Sequence, residues 1–208
     1  MVSFKNSKTA ENLMKAFAGE CQARTRYNYY SSVAKKQGYL VIADVFNETA
    51  ENEKEHAKLF LKHLVNNGVE GLPVTITAAY PAALSTETSK NLLYAAAGEN
   101  EEWSELYPAF AKEADEEGYS EIADTFKKVA LVEKKHEIRY RKLHETLIQG
   151  KLFERDTKVL WICKNCGHVL EAKAALKNAQ YANTQEAISS YSLRTTNNRR
   201  KRYAKIYM

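Results

Sequence analysis

Apolar residues between 42 and 64 fall at steps of three and four: Ile42, Val45, Phe46, Thr49, Phe60 and Leu64, with Glu53 and His56 on the same line. That spacing puts one stripe on one face of a helix. The pattern returns at Ile122, Phe126, Val129, Tyr140, Leu143 and Leu147, now with Glu133 and His136 in the stripe. Weaker stripes run through Leu13, Phe17, Glu20 and Tyr27, and through Leu92, Ala96, Glu99, Leu106 and Phe110. Together they predict four long helices over roughly 9–37, 39–67, 86–117 and 119–148. Gly38, Gly68, Gly118 and Gly150 stand where helices should stop. Between the second and third helices, residues 69–85 carry Pro73 and Pro81 without periodicity and read as a crossover.

The two halves are one unit written twice. Ala18-Gly19-Glu20 recurs as Ala97-Gly98-Glu99 at an offset of 79, whereas Gly38-Tyr39, Ile42-Ala43-Asp44 and Glu53-x-x-His56 recur at an offset of 80. One extra residue therefore lies between Glu99 and Gly118. A π-bulge in the third helix would absorb it, and so would a longer helix end near Gly118. Two helix pairs joined by a long crossover predict an all-α chain whose body is a ferritin-like four-helix bundle.

Each of the four inward stripes is broken near mid-length by an acid. Four unpaired carboxylates in one core would repel, each with a desolvation penalty of several kcal/mol, so a cation must sit among them. One Glu from each of two helices (Glu20, Glu99) and Glu-x-x-His from each of the other two (Glu53/His56, Glu133/His136) is the inward pattern of di-iron and di-manganese carboxylate bundles. Oxygen donors with some imidazole suit iron or manganese better than zinc. The competing reading is a salt-bridged core that uses Arg24 and Arg26. Glu102, three residues after Glu99, is a further candidate ligand found in one half only, or else a surface acid of the run 99–105.

Composition sharpens this picture in two places. The chain has 208 residues and a formal charge of +5, but residues 172–208 alone carry +7 and the rest −2. The body thus offers no basic face for nucleic acid, and the basic end reads as a solvated tail. Three cysteines, two of them spaced as Cys163-x-x-Cys166, cannot pair fully. With no apolar run of membrane length and no signal-like N-terminus, they predict a reducing, cytoplasmic location. Cys21, beside Glu20, reads as a buried packing cysteine.

The segments AFAGECQARTRY, ETAENEKEHAKLF, AAAGENEEWSELYPAFAKEADEEGY and WICKNCGHV resemble those of the rubrerythrins, from Ser3 to about Glu171. The resemblance implies a non-haem di-iron peroxidase that reduces hydrogen peroxide to water, with ferroxidase or iron-storage activity as the alternative for such a bundle. It implies iron ligands at Glu20, Glu53, His56, Glu99, Glu102, Glu133 and His136, with Glu53 and Glu133 bridging and with Glu102 and His56 exchanging at one iron on reduction. Tyr27 and Tyr107 match tyrosines that hydrogen-bond the ligand carboxylates, although ordinary core aromatics would occupy the same positions. A homodimer and an electron donor such as rubredoxin or an NAD(P)H-dependent reductase are likewise implied.

A family member would end in a rubredoxin-like site with one iron on four cysteines. Cys163 and Cys166 supply one knuckle, and no cysteine follows. Two thiolates do not complete a tetrahedral sulfur site, so the rubredoxin-type iron is not expected to assemble. The expected organisation is a bundle over 1–150, an incomplete rubredoxin-like knuckle over 151–171 and a disordered basic tail over 172–208. Leu176–Ser189 has synonymous codings whose shifted frame reads EKCPVCKHPGSYF, a second knuckle with an aromatic ending. The tail is therefore compatible with a frameshift.

Overall fold

The computed structural model describes residues 3–163, 167–175 and 190–192. Five helical segments carry the body: α1 (Lys8–Lys36), α2 (Leu40–Leu64), α3 (Thr88–Glu101), α4 (Tyr107–Glu116) and α5 (Ser120–Ile148). A π-helical turn, Glu102–Leu106, joins α3 to α4, so the two form one long rod with one residue too many. The architecture is the expected ferritin-like bundle. α1 packs along α2, and α5 packs along α3 and α4. The extended crossover leads from Val69 to the start of α3.

Local chemistry fixes the ends. The Ser7 hydroxyl accepts a hydrogen bond from the Ala10 amide at 3.0 Å and so caps α1. The Glu117 carboxylate, arriving from the far end of α4, accepts from the Lys8 and Thr9 amides at 3.0 and 2.8 Å. α1 and α4 close in the same way. Gly38 and Gly118 take φ of +80° and +88°, and the amides of Tyr39 and Tyr119 reach back to the carbonyls of Ala34 and Ala114 at 2.9 and 2.7 Å. A side chain at either glycine would oppose that left-handed turn.

The bundle interior has two apolar cores. One contains Leu13, Phe60, Leu64, Tyr107, Ile122 and Phe126. The other contains Tyr27, Tyr30, Ile42, Phe46, Leu92 and Tyr140. Glu20, Glu53, Glu99 and Glu133 are as fully buried as these residues but belong to neither core. Among the described residues no helix is long and apolar enough to cross a membrane.

Beyond the bundle, β1 (Glu154–Ile162), β2 (Val169–Ala174) and β3 (Ser190–Ser192) form an antiparallel sheet in the order β2-β1-β3. Tyr39 and Phe153 stack at 6.3 Å where the sheet adjoins the bundle. Of the basic tail expected over 172–208, residues 176–189 and 193–208 lie outside the described residues, and two short stretches are strands. β2 continues to Ala174, and Ser190–Ser192 pair with Leu160–Ile162, because the free edge of β1 offers backbone groups to any extended segment.

Candidate metal centre

Each interrupting acid lies where its stripe places it: Glu20 on α1, Glu53 on α2, Glu99 near the end of α3 and Glu133 on α5. All four are no more than 1% exposed. His56 and His136 follow Glu53 and Glu133 by one turn and meet them in two clusters. Glu20, Glu53, His56 and Glu133 bring one donor atom each within 4.8 Å of one another, and so do Glu53, Glu99, Glu133 and His136. Glu53 and Glu133 belong to both clusters. The two imidazoles lie nearly parallel, 6.2 Å apart.

The donors converge without satisfying one another. His56 Nδ1 and His136 Nδ1 each approach a Glu133 oxygen at 2.7 Å. Yet both Glu133 oxygens, His136 Nδ1 and one oxygen each of Glu20, Glu53 and Glu99 are buried without a hydrogen-bond partner. Buried polar atoms are otherwise almost always paired. Here they point into a common space, as ligand atoms around an ion do. The salt-bridged alternative fails: Arg24 pairs with Glu51 at 3.6 Å on the surface, and Arg26 donates to the Pro81 carbonyl at 3.1 Å. Among the described residues, the ion-pair partners of these four glutamates are the two histidines.

The electrostatics express the same crowding. Burial, then the Glu53 charge, push Glu99 up to about 8. Burial and the charges of Glu102, Glu133 and Glu53 raise Glu20 well above the usual carboxylate range. Burial would lift Glu133 too, but the close approach of the His136 and His56 imidazoles outweighs it and holds that carboxyl down to about 2. Burial disfavours the His56 cation, yet Glu133 and Glu53 raise its pKa to about 10. His136 is raised further by Glu133, Glu53 and Glu99. Without metal, the centre is a set of carboxylates competing for the protons of two histidines.

Two tyrosines brace the outer acids. Tyr27 Oη donates to Glu99 at 2.7 Å, and Tyr107 Oη donates to Glu20. Burial and the adjoining carboxylates push both phenols well above their ordinary range, which keeps them protonated donors. The π-turn makes this pairing possible. Leu106, expected in the inward stripe, is 37% exposed, while Tyr107 is buried, because one inserted residue shifts every later inward position by one. The turn is pinned to α5 through Glu137, which accepts from Trp103 Nε1 at 2.5 Å and Asn100 Nδ2 at 3.2 Å. Sequence patterns give no sign of this clamp, since it depends on the register between α3 and α5.

Glu102 opens the π-turn and is half-buried. It joins neither cluster. Instead it lines a cavity of about 350 Å³ between α1, the π-turn and the crossover, with Arg26, Tyr80, Pro81, Tyr107 and Phe110 also in the wall. Cys21, expected to be buried, is exposed. One residue past Glu20 the helix has turned about 100°, which carries it off the core face. Cys163 is buried at the end of β1, where its amide donates to the His168 carbonyl and the Gly167 amide reaches the Cys163 carbonyl. Cys166 lies outside the described residues.

The donor set fits a pair of iron or manganese ions: carboxylate-rich, nitrogen-capped, buried and otherwise uncompensated. Comparison with known proteins agrees. The chain is 55% identical over 178 residues to a rubrerythrin of Clostridium perfringens, covering 85% of this chain and 91% of that one. It is 53% identical over 175 residues to a rubrerythrin of Porphyromonas gingivalis, covering 84% and 85%. Among solved structures, fully reduced, all-ferrous nigerythrin superposes with a TM-score of 0.60 at 29% identity, over 92% of this chain and 91% of the other. The family model described as Rubrerythrin matches residues 11–144, and the chain belongs to the rubrerythrin family.

Proposed function

We propose that the chain is a non-haem di-iron peroxidase that reduces hydrogen peroxide to water. The sharing of Glu53 and Glu133 between two overlapping donor clusters carries this reading, because it is the arrangement that two bridged ions require. In it, Glu20 and His56 complete one iron site and Glu99 and His136 the other. The bound pair supplies two electrons and Lewis acidity to H2O2 + 2 e⁻ + 2 H⁺ → 2 H2O.

The chain's own groups do the rest. Tyr27 and Tyr107 hold Glu99 and Glu20 in fixed orientations through hydrogen bonds. The apolar cores on either side exclude water and strengthen every electrostatic contact within. Glu102 stands one helical turn from Glu99 as the seventh ligand, reached by movement of the π-turn. That role is supported by the resemblance and by its nearness to Glu20, whose pKa its charge raises. An external donor, such as rubredoxin or an NAD(P)H-dependent reductase, restores the electrons, and the working unit is a homodimer.

Iron storage is the rival function for the same bundle. Aerobic addition of excess ferrous iron separates the two. A peroxidase holds its iron at two per chain and consumes peroxide when given a chemical reductant, whereas a storage protein accumulates iron far beyond that ratio.

A further inference from the structure

The cavity beside the candidate centre is larger than hydrogen peroxide requires. It measures about 350 Å³, whereas two water-sized atoms occupy roughly 60 Å³ and a cavity of about 150 Å³ already admits benzene. Its volume is in the range of sites that hold organic molecules, ~300–1,000 Å³. Tyr107 and Glu102 stand at the wall nearest the metal ligands, and Ala16, Ala78, Ala79 and Phe110 supply apolar surface.

The space is built rather than left over. Gly19 and Gly98 put bare backbone on two of its walls, opposite the Tyr80 ring and the Arg26 guanidinium. The crossover is tied across it: Tyr80 Oη donates to the Lys15 carbonyl at 2.9 Å, and Arg26 Nη1 donates to the Pro81 carbonyl at 3.1 Å. Arg26 Nε, on a residue that lines the cavity, is buried without a hydrogen-bond partner. A cavity with more apolar than polar wall, bordered by Glu102 and by Tyr107, which donates to Glu20, and with the unpaired Arg26 Nε on a lining residue, suits a molecule with an organic body and an oxygen head.

We propose that this cavity seats the organic group of aryl and alkyl hydroperoxides, and that the chain reduces them alongside hydrogen peroxide. The reaction is ROOH + 2 e⁻ + 2 H⁺ → ROH + H2O. The O–O bond breaks, the proximal oxygen leaves as the alcohol and the distal one as water. This extension rests on the peroxidase reading, which names the reduced iron pair as the electron source, with dithionite as the reductant in the test.

The test compares hydrogen peroxide with cumene hydroperoxide on the iron-loaded chain, in the wild type and in Ala79→Trp and Gly98→Leu, which fill the cavity from two walls. Filling should lower kcat/KM for cumene hydroperoxide by about tenfold or more and leave that for hydrogen peroxide within about twofold. Independently of turnover, saturation-transfer NMR should detect the product 2-phenyl-2-propanol bound to the wild type and lost in both variants. Organic hydroperoxide reduction that is absent from the wild type, or undiminished in both variants, overturns the proposal, as does failure of the alcohol to bind. Failure of the wild type to consume hydrogen peroxide, with the alcohol still bound, overturns the peroxidase reading instead and leaves the cavity as an organic-ligand site.

Discussion

Tyr27 on α1 donates its phenolic proton to Glu99 on α3 at 2.7 Å, and the equivalent residue of the second half, Tyr107, donates to Glu20 on α1. The repeat thus braces itself crosswise. The tyrosines are 80 positions apart and the glutamates 79, so the reciprocity exists only because the π-turn takes up the difference. Replacing either tyrosine with phenylalanine removes a donor to a buried carboxylate, which costs about 1–3 kcal/mol. Tyr27→Phe and Tyr107→Phe should therefore each lower metal-free stability by that amount in urea titration while retaining two irons. Loss of an iron from either variant would show that the tyrosines do more than orient.

Glu133 faces both histidines and belongs to both clusters, whereas Glu102 belongs to neither. Glu133→Ala should abolish paired iron binding yet preserve helical circular dichroism, since removing one of four crowded acids also relieves repulsion. Glu102→Ala should keep two irons per chain by metal analysis. Equal loss of metal in the two variants would contradict the geometry described above.

The metal-free chain should be most stable in mildly acidic solution. Glu99 is raised from 4.5 to about 8 and His56 from 6.5 to about 10. For both, the folded state holds its proton more tightly, so their contribution is complete below the ordinary values and is lost as pH rises through the folded ones. Glu133, lowered to about 2, works in the opposite sense and loses its contribution only as pH falls below the ordinary carboxylate value. The Tm of metal-free protein should fall between pH 5 and pH 9 by on the order of 10 °C. Iron should reverse that trend, because it replaces the same protons. A metal-free Tm that is flat or rising over this window would refute the account of the crowded acids.

The helices and the ligand stripes were legible because each is written twice, and the inserted residue because the offset between the two copies changes from 79 to 80. The repeat offset changes by one between Glu99 and Tyr107, but apolar spacing alone does not mark where the extra residue sits, so the stripe takes in Leu106, while the resemblance places Tyr107 at the carboxylates. Cys21 was misjudged for a related reason, since the edge of a helix stripe is set by how closely the neighbouring helix packs. The Glu137–Trp103 clamp and the cavity over Glu102 depend on contacts between α3, α5 and the crossover that no periodicity encodes.

The tail makes its own prediction at the level of the gene. If the chain after about Lys173 reflects a shifted frame, Asn178 is encoded by AAT and Tyr181 by TAT, each followed by a GC-starting alanine codon that hides a cysteine. Sequencing that finds AAC at Asn178 or TAC at Tyr181 removes the idea.

The central claim is that two bridged irons in this bundle deliver two electrons to one peroxide. Anaerobic titration of the fully reduced, iron-loaded chain with hydrogen peroxide tests it most directly. The visible absorption of the oxidised pair should return in full at one equivalent of peroxide per two irons. An endpoint at two equivalents, one peroxide per iron with the irons oxidising independently, or no reoxidation at all, would contradict it.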